Sequence, residues 1–160
     1  MIRIRCRSLA LLAALVLSTA APAETLQVPA DYPPIQSCID AAVSGEDECV
    51  VAPGTYHETI NFLGKAVTVR SSHGRDVTTI DATGMNNSVV SCISGEGSDT
   101  ILGGFTITGG TGAGDPRRGG GLVISGAEPS IEDCTFLGNT AEYGGGVFSA
   151  SDHQLRPTLV

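Results

Sequence analysis

The sequence predicts an all-β protein, a parallel β-helix (a solenoid) closed at its front by a short N-terminal capping α-helix. Three observations carry that prediction. The triplet Gly119-Gly120-Gly121 returns as Gly144-Gly145-Gly146, twenty-five residues later. "EPSIED" at 128–133 is echoed by "RPTLV" at 156–160, and "FTITGG" from Phe105 by "CTFLGN" from Cys134. Short β-branched runs broken by glycine and turn residues fill the chain after a single stretch of helical periodicity. A period in the twenties marks a solenoid, in which no unit can bury its own apolar face and each stacks on the next.

The chain of 160 residues opens with "MIRIRCRSLALLAALVLSTAAPAETL". Arg3, Arg5 and Arg7 precede an apolar run from Leu9 to Leu17 and the small-residue site Ala21-Pro22-Ala23, which reads as a secretory signal peptide over 1–23. The run is too short to span a bilayer. Cleavage after Ala23 removes Cys6 and leaves one domain over 24–160, expected outside the cytoplasm, at the cell surface or in the periplasm, without a transmembrane segment. It also removes three arginines, which takes the formal net charge from −8 to −11. A surface of that sign repels nucleic acid and anionic lipid, and it disfavours tight capture of polyanions.

The first periodic segment is "DYPPIQSCIDAAVSG", where Ile35, Cys38, Ile39, Ala42 and Val43 recur on one helical face. Pro33 and Pro34 suit a first turn and Gly45 the position just past the end, which predicts a helix over 34–44. The runs that follow are "ECVVAPG", "KAVTVRSS", "VTTIDATG", "SVVSCISG", "DTILGGFTITGG", "GLVISG", "SIEDCTFLGN", "GVFSAS" and "PTLV". Alternation places Val67 with Val69, and Phe105 with Ile107, on one face of a strand. Leucine-rich repeats need more leucines at fixed positions than stand here, so the parallel β-helix is the better fit. Its turns stack at about 4.8 Å, so Val, Ile, Phe and Cys form continuous inward columns. Glycine triplets supply positive φ at corners, and Asn139 in "GNTA" is expected to bond neighbouring backbone at another. The first turn needs a cover, and the Ile35, Ile39 and Val43 face of the helix supplies it.

"VPADYPPIQSCIDAAVSGEDECVVAPGTYHETINFLGKAVTVRSS", "SDTILGGFTITGG" and "GGGLVISGAEPSIEDCTFLGNTAEYGGGVFS" resemble secreted bacterial proteins of the right-handed parallel β-helix, pectin-lyase-like superfamily. The resemblance implies that the helix from Pro34 caps the coil and that "PGTYHETI" begins the first full turn. Polysaccharide lyases, hydrolases, epimerases and non-catalytic surface proteins share the scaffold, so the resemblance leaves the activity open. Members of this type run to more turns, and the chain reads as an amino-terminal fragment that ends within a repeat.

Cys38 on the helix and Cys49 on the strand after it are placed to form a disulfide between cover and stack, against the alternative of two buried thiols. Cys134 reads as a buried free thiol and Cys92 is undecided. The cysteine spacings and the scattered His57, His73 and His153 match no zinc pattern. Asp81, Asp99, Asp115, Glu132, Asp133 and Asp152 could supply calcium ligands or acid and base groups. Paired with Arg70, Arg75, Arg117 or Arg118 they form no set that recurs at the turn spacing, so they read as solvated corners. "GGTGAGD" at 109–115 carries Gly114 where a calcium-binding nonapeptide needs aspartate, and it reads as a loop. No catalytic residue is assigned and no cofactor is expected; calcium would enter only if the chain belonged to a lyase. Tryptophan is absent, so Tyr32, Tyr56 and Tyr143 are the aromatic candidates for stacking on sugars, and Tyr143 beside the second triplet is the candidate binding residue. The expected function is an exported scaffold that binds glycans or other cell-surface molecules, against the alternative of the amino-terminal part of a polysaccharide lyase.

Overall fold

The computed structural model describes residues 23–150 and the backbone of residues 158–159. The predicted signal peptide, apart from Ala23, lies outside them, as does Asp152. After β1 (Thr25–Val28) and α1 (Ile35–Ala41), the chain runs through β2 (Glu48–Val51), β3 (Gly54–Tyr56) and β4 (Ile60–Asn61). The same threefold passage repeats in β5 (Thr68–Ser71), β6 (Thr78–Asp81) and β7 (Val90–Cys92), then in β8 (Ile101–Gly103), β9 (Thr106–Thr108) and β10 (Leu122–Ser125). A fourth passage comprises β11 (Ser130–Glu132), β12 (Thr135–Leu137) and β13 (Val147–Ala150), and β14 (Thr158–Leu159) follows. These strands form three parallel sheets, ordered β1-β2-β5-β8-β11-β14, β3-β6-β9-β12 and β4-β7-β10-β13. From β2 onward the chain visits the three sheets in rotation, and each passage hydrogen-bonds to the one before it.

The parallel register stacks like side chains on like. Leu26, Cys49, Val69, Leu102 and Ile131 form one inward column across the six-stranded sheet. Ile60, Val90, Leu122 and Val147 form a second, and Tyr56, Ile80, Ile107 and Phe136 a third. These columns meet in one apolar core with Phe62, Phe105 and Ile124 fully buried. Parallel sheets have no hairpin to set register, so the alignment of the columns sets it. The sequence echoes coincide with ladder partners: Phe105 to Thr108 lies beside Cys134 to Leu137, and Ser130-Ile131 pairs with Thr158-Leu159.

The first of the repeated glycines, Gly119 and Gly144, have φ of +57° and +64°, the left-handed corner that the triplets predict. The second and third serve a different purpose. Gly120 and Gly121 donate to the carbonyls of Gly144 and Gly145 at 3.2 and 3.0 Å, and a Cβ on Gly120 would run into the Gly145 carbonyl. They are glycines because two backbones lie in contact. Asn139 bonds as expected, accepting from the Gly110 N–H at 2.9 Å and donating to the Ile107 carbonyl at 2.8 Å.

Two predictions need correction. The β body starts one strand earlier, because β1 lies before the helix and pairs with β2. The helix covers Ile35–Ala41, not 34–44, because Ala42 leaves helical geometry and Asp47 Oδ2 takes the Val43 N–H at 2.8 Å. Val43 is consequently 48% exposed, and Ala42 occupies the buried place expected for it. Ile35, Cys38 and Ile39 are buried, and α1 packs on β1, β2 and β4.

Candidate functional site

In the four-stranded sheet β4-β7-β10-β13, the residues that alternate with the core column face outward. Register aligns Asn61, Ser91, Val123 and Phe148 into one row. Beside it stands a second row in which Ser125 pairs with Ala150, and Ile93 follows β7. Asn87, Ala113, Gly114 and Arg118 rise along one side and complete a groove of about 360 Å³. That volume lies at the small end of the range for ligand sites, roughly 300–1,000 Å³.

The side wall is a loop between β9 and β10. Ala113 and Arg118 exchange both backbone hydrogen bonds, at 3.1 and 3.0 Å, which closes residues 114–117 into a turn. The Ser88 hydroxyl donates to the Arg118 carbonyl at 3.2 Å, and the Tyr143 N–H donates to the Arg117 carbonyl at 3.1 Å. Backbone ties to both adjacent passages thus fix the base of Arg118. Its guanidinium carbon lies 5.5 Å from the centre of the Phe148 ring, a cation–π distance. Among the described residues it has no carboxylate partner.

The two amides are oriented by the backbone. Asn61 Oδ1 accepts the Leu63 N–H at 2.9 Å and Asn87 Oδ1 accepts the Ser88 N–H at 2.9 Å. Each Nδ2 is left as a donor without a protein partner among the described residues. The groove therefore offers amide, guanidinium and hydroxyl donors beside Ile93, Val123, Ala150 and Phe148.

Tyr143 is 56% exposed at the corner beside Gly144, and its backbone bridges Arg118. Its ring does not line the groove. Tyr32 packs against the core, and the Tyr56 hydroxyl donates to the Ala52 carbonyl at 2.9 Å. The aromatic that lines the groove is Phe148, which is not among the tyrosines that the sequence offers as candidates. Alternation in "GVFSAS", with Val147 directed inward by its alignment with Leu122, is the signal that identifies it.

Cys38 and Cys49 form a disulfide that links α1 to β2, both fully buried. Cys92 and Cys134 are free, and burial raises both thiol pKa values. The other carboxylates are dispersed. Asp81 accepts from the Thr83 hydroxyl and N–H and lies 3.4 Å from His57, while Asp133 pairs with Arg75. Glu24, Glu46, Asp47, Glu48 and Asp99 border a second cleft of about 440 Å³. There Asp47 accepts the backbone N–H groups of Glu24 and Val43, and Glu48 accepts from Arg70, so these carboxylates serve the fold. Among the described residues no group of three or more His, Cys, Asp or Glu side chains is placed to hold a metal ion, and no helix is long and apolar enough to cross a membrane. No family model, curated protein or solved structure matches the chain.

Proposed function

We propose that residues 24–160 form one exported right-handed parallel β-helix of the pectin-lyase-like type, acting as a non-catalytic surface or extracellular module that binds glycans. The rotation of consecutive strands through three parallel sheets supports the coil. Its handedness follows from the near-universal right-handedness of parallel crossover connections. A buried disulfide fits the oxidising address that the leader implies.

The observation that carries the binding assignment is the groove over Asn61, Ser91, Val123 and Phe148. It is a straight row on a stiff sheet that passes from the polar Asn61 and Ser91 to the apolar Val123 and Phe148, walled by Arg118, which has no carboxylate partner among the described residues and is held against an aromatic ring. Sugars present apolar ring faces and a fringe of hydroxyls, and such a surface meets both. Tyr143, next to Arg118 along the coil, extends the contact beyond the groove.

Calorimetric titration with a panel of neutral and acidic oligosaccharides tests the assignment. The protein is expected to bind at least one of them, and Phe148→Ala or Arg118→Ala to weaken that binding about tenfold, or about 1.4 kcal/mol. Tyr143→Ala should weaken it less. Unchanged affinity in both groove variants, with folding verified by circular dichroism, would remove the groove from the function. Release of ultraviolet-absorbing unsaturated products from pectate or alginate with calcium would overturn the non-catalytic reading in favour of a lyase.

A further inference from the structure

We infer that the groove selects uncharged, acetylated sugars, with the acetamido group as the feature recognised; this rests on the reading of the groove as a glycan site. Hydrogen-bond donors outnumber acceptors in the groove. Both side-chain carbonyls in the groove, Asn61 Oδ1 and Asn87 Oδ1, already accept one backbone N–H, which leaves each a single lone pair. Against those two lone pairs stand the N–H groups of Asn61 Nδ2, Asn87 Nδ2 and the Arg118 guanidinium, so donors predominate, with the Ser91 and Ser125 hydroxyls able to act either way. Among the described residues no carboxylate lines the groove, although the whole chain carries seventeen acidic residues.

A plain hexose polymer presents many hydroxyls, each with an O–H that seeks an acceptor, and such a site supplies few. An acetamido group presents a carbonyl oxygen, a strong acceptor, with a methyl group two bonds away. The groove has the matching pair: donors from the asparagines and arginine, and an apolar floor of Ile93, Val123 and Ala150 beside them. A uronate carboxylate would also satisfy the donors. It would bring a charge against a net negative protein and would leave the apolar floor facing an ion.

The test uses oligosaccharides of equal length, titrated into the intact chain: the N-acetylglucosamine trimer, the glucose trimer with the same β-1,4 linkage, the de-N-acetylated glucosamine trimer and trigalacturonate. The acetylated trimer is expected to bind at least tenfold more tightly than the other three. The glucosamine trimer is the stringent control, since its positive charge favours it on an acidic protein. Asn87→Asp keeps an oxygen for the Ser88 N–H but replaces the Nδ2 donor. It should abolish the preference, lowering affinity for the acetylated trimer at least fivefold while altering the glucose trimer less than twofold. Equal affinity for acetylated and plain trimers would overturn the acetyl selectivity and leave the glycan reading standing. Tighter binding of trigalacturonate would overturn it in favour of an anionic ligand. Binding of some other glycan with none of the four, and with loss in Phe148→Ala, would also overturn the acetyl inference alone; silence across the whole oligosaccharide panel would overturn both readings.

Discussion

Glu96 is 1% exposed and has no cationic partner among the described residues. Its carboxylate is held by backbone instead: Oε1 accepts the Gly64 N–H at 2.9 Å and Oε2 the Ser94 N–H at 2.8 Å. Its own carbonyl accepts the Glu128 N–H at 2.6 Å, so one residue joins corners of three successive passages. Glu96→Gln keeps the shape but turns one acceptor into a donor that faces an N–H. The expected cost is about 2 kcal/mol, the range for leaving a buried group unpaired beside lost charge-assisted bonds. Urea unfolding checks it, and a variant as stable as the parent would show that the carboxylate is not needed as a double acceptor. Nothing in "SGEGS" distinguishes this glutamate from a solvated loop residue, because the N–H groups it serves lie two residues away and in a preceding passage. Phe148 differs, because strand alternation in "GVFSAS" contains its orientation.

The seven residues of α1 are too few to hold a helix in isolation, and no side chain within the segment caps its first turn. The caps come from the following passage. Glu58 accepts the N–H groups of Ile35 and Gln36 at 2.8 and 2.9 Å. Lys65 Nζ donates to the carbonyls of Ile39, Asp40 and Ala42 at 2.8, 2.7 and 3.0 Å. An acid at the amino end and a base at the carboxyl end both oppose the helix dipole. The disulfide adds a covalent tie to β2. Removing it as Cys38→Ala/Cys49→Ala should cost about 3 kcal/mol for a loop of this length. Lys65→Met, which orphans three carbonyls, should cost about 2 kcal/mol. If both variants unfold at the parental urea midpoint, α1 contributes little to the stack and the cover assignment fails. The apolar spacing that announces the helix is local and therefore legible. Its end is not, because Asp47 and Lys65 decide it from outside the segment.

At the scale of the molecule, the repeat was legible because parallel stacking makes each passage a near copy of the last in pattern: Phe105 over Cys134 and Thr106 over Thr135 are neighbours in space as they are echoes in sequence. β1 was not legible, since it is four residues long and echoes nothing before the helix. The same stacking leaves the surface rich in carboxylates whose ionised forms the fold uses. The Arg70 guanidinium beside Glu48 holds its pKa below the ordinary value, the N–H groups of Val43 and Glu24 do so for Asp47, and the Thr83 hydroxyl and N–H do so for Asp81. A depressed folded pKa stabilises above the unfolded value, near 4, and that stabilisation is lost as pH falls through the folded value. Burial raises Tyr56, Cys92 and Cys134, and their contribution is lost at the opposite end, as pH rises through their folded values. One effect opposes the acid arm, because protonation also relieves repulsion in a chain of net charge −8 before any cleavage. In 1 M salt the screening length falls to about 3 Å, which suppresses that long-range term and leaves hydrogen-bonded contacts in place. Under those conditions the free energy of unfolding should be level between pH 5 and 8, fall below about pH 4 and fall again above about pH 9. Urea titrations across that range read the slope directly, and a stability that rises on acidification below pH 4 in 1 M salt would mean that these carboxylates are not preferentially ionised in the fold.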